Sequence, residues 1–224
     1  MKYVPREIQA EVNYTPVHPL VNLGHLLGTV AAIGISAYIG LGIAATQIAI
    51  RIGPDAETKV GNALFTPLAA QTLPQDPRLP YLQNLAESLV TDSLATRPPV
   101  TLHILDDPLP NAFVMPGGHI LFTTGLLDNA KTENEIAFVL AHELGHHATR
   151  DSLRRLGRSL VLVTLTSTLS LGGVQLPSPV TSSSNLADLH YSRSQESAAD
   201  RYALAAMIDK YGHGQYGLDF FTRM

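Results

Sequence analysis

The 224-residue sequence contains no cysteine. Disulfides, thiolate metal ligands and a cysteine nucleophile are therefore excluded, and any bound metal has to be held by His, Asp or Glu. Charge is scarce as well: 15% of the residues are Asp, Glu, Lys or Arg, and the formal net charge is -4. The basic residues are scattered, which argues against nucleic acid as a partner, since that needs a concentrated basic surface. No internal repeat is visible. What is present in quantity is apolar surface, 45% of the residues, enough for one core and an appendage.

The scarce charge is also unevenly spread. Residues 1–19 form a polar tail punctuated by proline, with Lys2, Arg6, Glu7 and Glu11, whereas Leu20 to Ile50 has no charged residue over 31 positions. A bilayer core of roughly 30 Å needs about 20 helical residues. Residues 20–50 are thus predicted to form a transmembrane helix, best from about Leu26 to Ile50, because Asn22 and His25 would be costly at the bilayer centre. A cleaved signal peptide is the alternative, but it has a shorter apolar region and a distinctly basic leader. Lys2 and Arg6 before the segment balance Arg51 and Lys59 after it, so the flanking charges assign no orientation.

Residues 51–76 read as a connector closed by Pro74, Pro77 and Pro80, and a soluble domain is expected over 77–224. Leu82, Leu85 and Leu89 at helical spacing predict an amphipathic helix over Tyr81 to Leu94, ended by Arg97-Pro98-Pro99. Val100 to Leu105, Asn111 to Met115 and His119 to Thr123 read as strands of a small sheet. Thr132 with Glu135 forms a capping box ahead of a helix expected to run through His146 to about Arg155. Residues 159–187 carry no charge; their apolar part is short for a membrane span, so a buried helix, a hydrophobic lid or a membrane contact is expected there. A final helix is predicted from Ser192 or Ser194 to about Lys210.

The chemistry lies in the run His142-Glu143-Leu144-Gly145-His146. On a helix His142 and His146 are one turn apart and project from one face, so both imidazoles can reach one zinc ion. Glu143 reaches the flank of the metal, where a carboxylate suffices as general base for a water of lowered pKa. Gly145 costs roughly 1 kcal/mol relative to alanine inside a helix, and a close neighbour would be one sufficient reason for it. A chance match to H-E-x-x-H has odds on the order of one per cent in a chain of this length. A third ligand is needed, and Glu196 and Asp200 share one face of the last helix. Glu196 is assigned to the metal, and Asp200 to the imidazole N–H of a ligating histidine. A solvated helix face is the ordinary reading of such a pair without the upstream motif. His147 points about 100° away and reads as a surface or packing residue; His103 and His119 read as strand residues that face solvent, and His18 and His25 flank the span.

The run Asn111-Ala112-Phe113-Val114-Met115-Pro116-Gly117-Gly118-His119-Ile120, then Thr124-Gly125-Leu126-Leu127, then Ala141 to His146, then Tyr191-Ser192-Arg193 with Glu196 and Ala199-Asp200, resembles the HtpX, BepA and CAAX-prenyl-protease type of zinc metallopeptidase. The resemblance covers roughly residues 77–224. It implies a mainly helical α+β fold, a compact zincin domain of the minigluzincin type with a small β-sheet, here preceded by one transmembrane helix. It implies one Zn2+ held by His142, His146 and Glu196, Glu143 as base and Asp200 in support. It also implies a substrate-binding edge strand, His119-Ile120-Leu121-Phe122-Thr123, that pairs with an extended peptide.

Relatives of this type commonly continue to a Thr-His-Pro segment, whereas Met224 lies 28 residues after Glu196. Either the last catalytic group lies beyond Met224, or the oxyanion is met by His190, Tyr191 or His213. The function expected is a membrane-anchored zinc endopeptidase acting on unfolded or membrane-proximal proteins in quality control. Its partners would be polypeptide and membrane lipid, and its location a single-pass position in a membrane of the bacterial inner type. A zinc-binding chaperone or scaffold without turnover is the rival, with Glu143 as the residue that such a site does not need.

Overall fold

The computed structural model describes residues 18–170 and 191–215. The chain divides into two units, Met1–Gly40 and Leu41–Met224. Helix α1, Pro19–Ala49, crosses that division as one uninterrupted helix of 31 residues and is long and apolar enough to cross a membrane. Its side chains up to Gly40 are exposed.

The second unit continues with α2 (Pro54–Phe65), α3 (Leu79–Leu89), strands β1 (Thr101–Leu105), β2 (Ala112–Val114) and β3 (His119–Thr123), and the short α4 (Thr124–Asn129). Helices α5 (Glu133–Ala148), α6 (Asp151–Ser170) and α7 (Arg193–Tyr211) follow. The helix starts obey local chemistry. Thr132 Oγ1 accepts the N–H of Glu135 at the head of α5, and the Glu135 carboxylate takes the N–H of Lys131 at 3.0 Å rather than that of Thr132. Ser192 and Gln195 form a reciprocal capping box on α7, and Gly212 closes that helix in the left-handed conformation with φ 75°.

The sheet has the order β1-β3-β2, with β1 parallel and β2 antiparallel to β3. Alternation along the strands sends Leu102, Ile104, Val114, Ile120 and Phe122 to one face, where Leu82, Leu85 and Leu89 of α3 and Leu140 and Leu144 of α5 complete the main core. Each such leucine contributes about 1.5–3 kcal/mol by leaving water. The other face carries Leu105, Phe113, Met115 and Leu121 under Leu64 and Phe65 of α2. Helix α2 comes this close because Gly61 lies on the carbonyl of Pro116, and the turn beneath it uses Gly117 and Gly118 at φ 82° and 83°, values that other residues rarely adopt.

Three expectations change. Strand β3 is central rather than an edge, and all five of its residues are buried; both of its sides are already hydrogen-bonded, so His119-Ile120-Leu121-Phe122-Thr123 cannot pair with a peptide. His103 and His119 do not face solvent. Their rings meet under Phe65, with His103 Nε2 3.0 Å from His119 Nδ1 and His119 Nε2 2.9 Å from Asn62 Oδ1. Lastly, α5 ends at Ala148 rather than near Arg155. Arg150 breaks it with φ 57°, a conformation that costs a non-glycine residue roughly 1–2 kcal/mol. The side chain offsets that cost: its guanidinium donates to the carbonyls of Ile50 and Ile52 at 3.0 and 2.7 Å and lies 3.1 Å from the fully buried Glu57 carboxylate. The expected lid region falls on α6 up to Ser170, and its remainder lies outside the described residues.

Candidate active site and metal centre

Helices α5 and α7 pack against each other, and Gly145 lies in their contact. A Cβ there would stand 2.8 Å from Ala199 Cα and 3.1 Å from Tyr202 Cβ, so the glycine lets α7 bring Glu196 and Asp200 up to the histidines. The Nε2 atoms of His142 and His146 are 3.1 Å apart, and Glu196 Oε2 lies 3.3 Å from the first and 3.9 Å from the second. All the candidate ligand atoms of this trio fall within 4.8 Å of one another. The circle through the three has a radius of about 2.0 Å, which is the length of a Zn–N or Zn–O bond. Among the described residues this is the one cluster of three such groups. The donor set fits a zinc ion with a fourth position left for water.

The other ring nitrogen of each histidine is also engaged. His142 Nδ1 is 3.0 Å from Asp200 Oδ1, and His146 Nδ1 is 3.1 Å from Asp151 Oδ2. A carboxylate that accepts the Nδ1 proton leaves the Nε2 lone pair free for a metal. The two carboxylates differ in setting. Asp200 is largely exposed, whereas Asp151 is buried and also accepts from Thr149 Oγ1 and Gln195 Nε2, each at 2.6 Å. Burial alone would raise the Asp151 pKa, but these hydrogen bonds outweigh it and hold the group below the usual carboxylate range.

Glu143 is buried beside the pair. Burial raises its pKa, opposed by His146 and His142 and by a hydrogen bond from the main chain of Val114. That bond locates β2 next to the site. Thr123 N–H donates to Asn111 and Met115 N–H to His119, so Asn111, Phe113 and Met115 turn their main chain toward β3 while Ala112 and Val114 turn theirs away. The edge beside Glu143 is therefore that of β2.

Of the three suggested oxyanion donors, Tyr191 is at the site. Its ring stacks on His146 at 3.9 Å between centroids, Arg155 lies over it at 4.6 Å, and its buried hydroxyl has no hydrogen-bond partner among the described residues. Burial is the main reason its pKa is raised. His213 lies past the far end of α7, 17 residues from Glu196, or roughly 25 Å along a helix; it cannot serve the metal. His190 is outside the described residues. His147 is fully buried and its Nε2 meets the Pro98 carbonyl at 2.9 Å. Its role is packing, joined by Arg97, whose Nε donates to the last helical carbonyl of α5 at Ala148.

Asp151 is a site residue that no motif in the sequence singles out. Its available signal was the acidic residue opening a helix directly after Thr149-Arg150, a normal start for a new helix. A helix running unbroken through this point gives Asp151 no special position.

Residues 77–218 match the model for peptidase family M48. Over 183 residues the chain is 30% identical to a Vibrio cholerae protein of the beta-barrel assembly-enhancing protease type, covering 76% of this chain and 38% of that one. Over 110 residues it is 36% identical to the mitochondrial metalloendopeptidase OMA1 of Schizosaccharomyces pombe, covering 47% and 32%. With the same-named protein of Saccharomyces cerevisiae it shares 26% identity over 191 residues, covering 75% and 53%. The chain thus spans about a third to a half of the length of these curated relatives.

Proposed function

The chain belongs to peptidase family M48, and from that membership we propose that it is a zinc-dependent endopeptidase held at a membrane by α1. The observation that carries the reading is the triangle of His142, His146 and Glu196 donor atoms, with a buried carboxylate, Glu143, at its side. Zinc bound there would polarise the scissile carbonyl and acidify a water molecule. The protein's own residues do the rest. Asp200 and Asp151 orient the two imidazoles. Glu143 takes the proton of the attacking water and delivers it to the leaving amine, so the peptide bond breaks with water added across it. The Tyr191 hydroxyl is the proposed donor to the carbonyl oxygen as negative charge develops on it.

An extended peptide is proposed to add to the free edge of β2 through the main chain of Ala112 and Val114. Such pairing reads backbone rather than side chains. It suits unfolded segments of many sequences, and a single-pass tether at α1 favours substrates close to the membrane, as in protein quality control.

Cleavage of casein by the purified full chain in detergent, with zinc content measured in parallel, tests this. Wild type is expected to bind one zinc and cut; Glu143→Gln is expected to keep the metal and lose about a hundredfold or more in rate. Zinc-loaded wild type that cuts no unfolded substrate would leave the zinc-binding scaffold as the correct description.

A further inference from the structure

The side-chain amide of Gln195, in the first turn of α7, is engaged at both ends. Its Oε1 accepts the Ser192 N–H at 3.0 Å and the Ser192 hydroxyl at 2.9 Å, and its Nε2 donates to Asp151 Oδ1 at 2.6 Å. These partners fix which way the amide points, because a backbone N–H can only donate and a carboxylate can only accept.

Capping alone does not account for a glutamine at this position. A capping box takes Glu as readily as Gln, and close to the positive end of a helix a carboxylate has the advantage. What glutamine has and glutamate lacks is an N–H to give. At position 195 that group meets the carboxylate that holds His146. Asp151 Oδ2 lies 3.1 Å from His146 Nδ1 and accepts from Thr149 Oγ1 at 2.6 Å, while Oδ1 takes Gln195, with Arg154 Nη1 farther off at 3.4 Å. One buried carboxylate therefore joins α5, α6 and α7.

Gln195 also directly precedes Glu196 in the chain. Helix α7 thus reaches each histidine by its own route. Asp200 meets His142 directly, at 3.0 Å from Nδ1. On the other side Gln195 meets His146 through Asp151, and Glu196 lies between the two connections. We propose that Gln195 is a positioning residue of the metal centre, which sets the approach of Glu196 to His146 through Asp151. The proposal rests on the reading of His142, His146 and Glu196 as zinc ligands.

Zinc affinity of the full chain in detergent, measured by competition with a chelator, tests it. Gln195→Glu keeps the capping box but sets a second carboxylate against Asp151. Affinity is expected to fall about tenfold or more, whereas a residue that served only the cap would tolerate the change. Asp151→Asn combined with Gln195→Glu reverses donor and acceptor: the introduced amide donates to the introduced carboxylate and can still accept from His146. That double variant is expected to bind zinc about tenfold more tightly than the two single losses multiplied together predict. Ser192→Ala removes the capping hydroxyl and leaves the bond from Gln195 to Asp151 in place. It is expected to lower the melting temperature of the metal-free protein with zinc affinity near that of wild type. Unchanged affinity in Gln195→Glu, losses that simply multiply in the double variant, or an equal loss in Ser192→Ala overturns the role of Gln195 and leaves the zinc site standing. Wild type that binds no zinc overturns both.

Discussion

Asp151 Oδ2 lies 3.1 Å from Nδ1 of His146, and both side chains are 1% exposed. The contact joins the first residue of α6 to a candidate ligand on α5 across the break at Arg150, so the geometry of that break is transmitted to the site. Replacing Asp151 by Asn keeps the shape but removes the charge-assisted acceptor. Zinc affinity, measured by competition with a chelator, is expected to fall about 10–100-fold. The same change at the exposed Asp200 is expected to cost less, because water can replace it.

Gly145→Ala tests the helix contact that brings Glu196 in. The added Cβ meets the backbone of Ala199, and backbone cannot swing aside as a side chain can. Overpacking of this kind costs about 1–3 kcal/mol. Thermal unfolding of the variant is expected at lower temperature, and zinc retention is expected to be weaker than in Gly53→Ala, a change at an exposed glycine whose added Cβ would meet nothing within 4 Å. Unchanged zinc affinity would mean that α7 is held in place by something other than this contact.

Glu57 and Arg150 form an ion pair at 3.1 Å, with the Glu57 carboxylate fully buried. Its alignment is not that of a directed hydrogen bond. Removing either partner alone strands a charge, which is expected to destabilise by about 3–5 kcal/mol. Glu57→Gln, Arg150→Met and the double variant in a denaturant-unfolding cycle measure this; the double variant is expected to be more stable than the sum of the single losses.

The hydrogen-bonded pair His103 and His119 makes stability sensitive to acid. Burial, with a contribution from His119, lowers the pKa of His103 to about 4, and burial lowers that of His119. Between the unfolded value near 6.5 and pH 4 the unfolded chain therefore binds more protons than the folded one. Stability is full above about pH 6.5 and is lost as the pH falls toward 4, by at most about 1.4 kcal/mol per pH unit for each histidine. Melting temperatures recorded across that window are expected to decline, and less steeply in His103→Gln.

Local pattern made much of the fold legible. The leucine spacing of α3, the Thr132 and Ser192 caps and the alternation of the strands are short-range features, and the elements observed follow them. The gathering of His142 with His146 is likewise a property of one helical turn. Legibility ended where a residue's state depends on what lies across from it. His119 to Thr123 reads as a strand in any context, but whether it is an edge depends on which strands flank it, and β1 and β2 occupy both sides. His103 and His119 read as polar, and only the placement of Phe65 and Asn62 over them makes them buried.

By itself, then, the sequence determined which side chains are available for chemistry. Without cysteine the candidate ligands had to be histidine and carboxylate, and the four-residue spacing set two imidazoles on one helix face. Tertiary structure decided their orientation and surroundings. It brought Glu196 within 3.3 Å of His142 over a helix contact open only to glycine, and it turned α6 at Arg150 so that Asp151 meets His146. Spacing within a helix is a property of covalent geometry and backbone hydrogen bonds. The approach of one helix to another is set by packing between residues distant in the chain, and no local pattern records it.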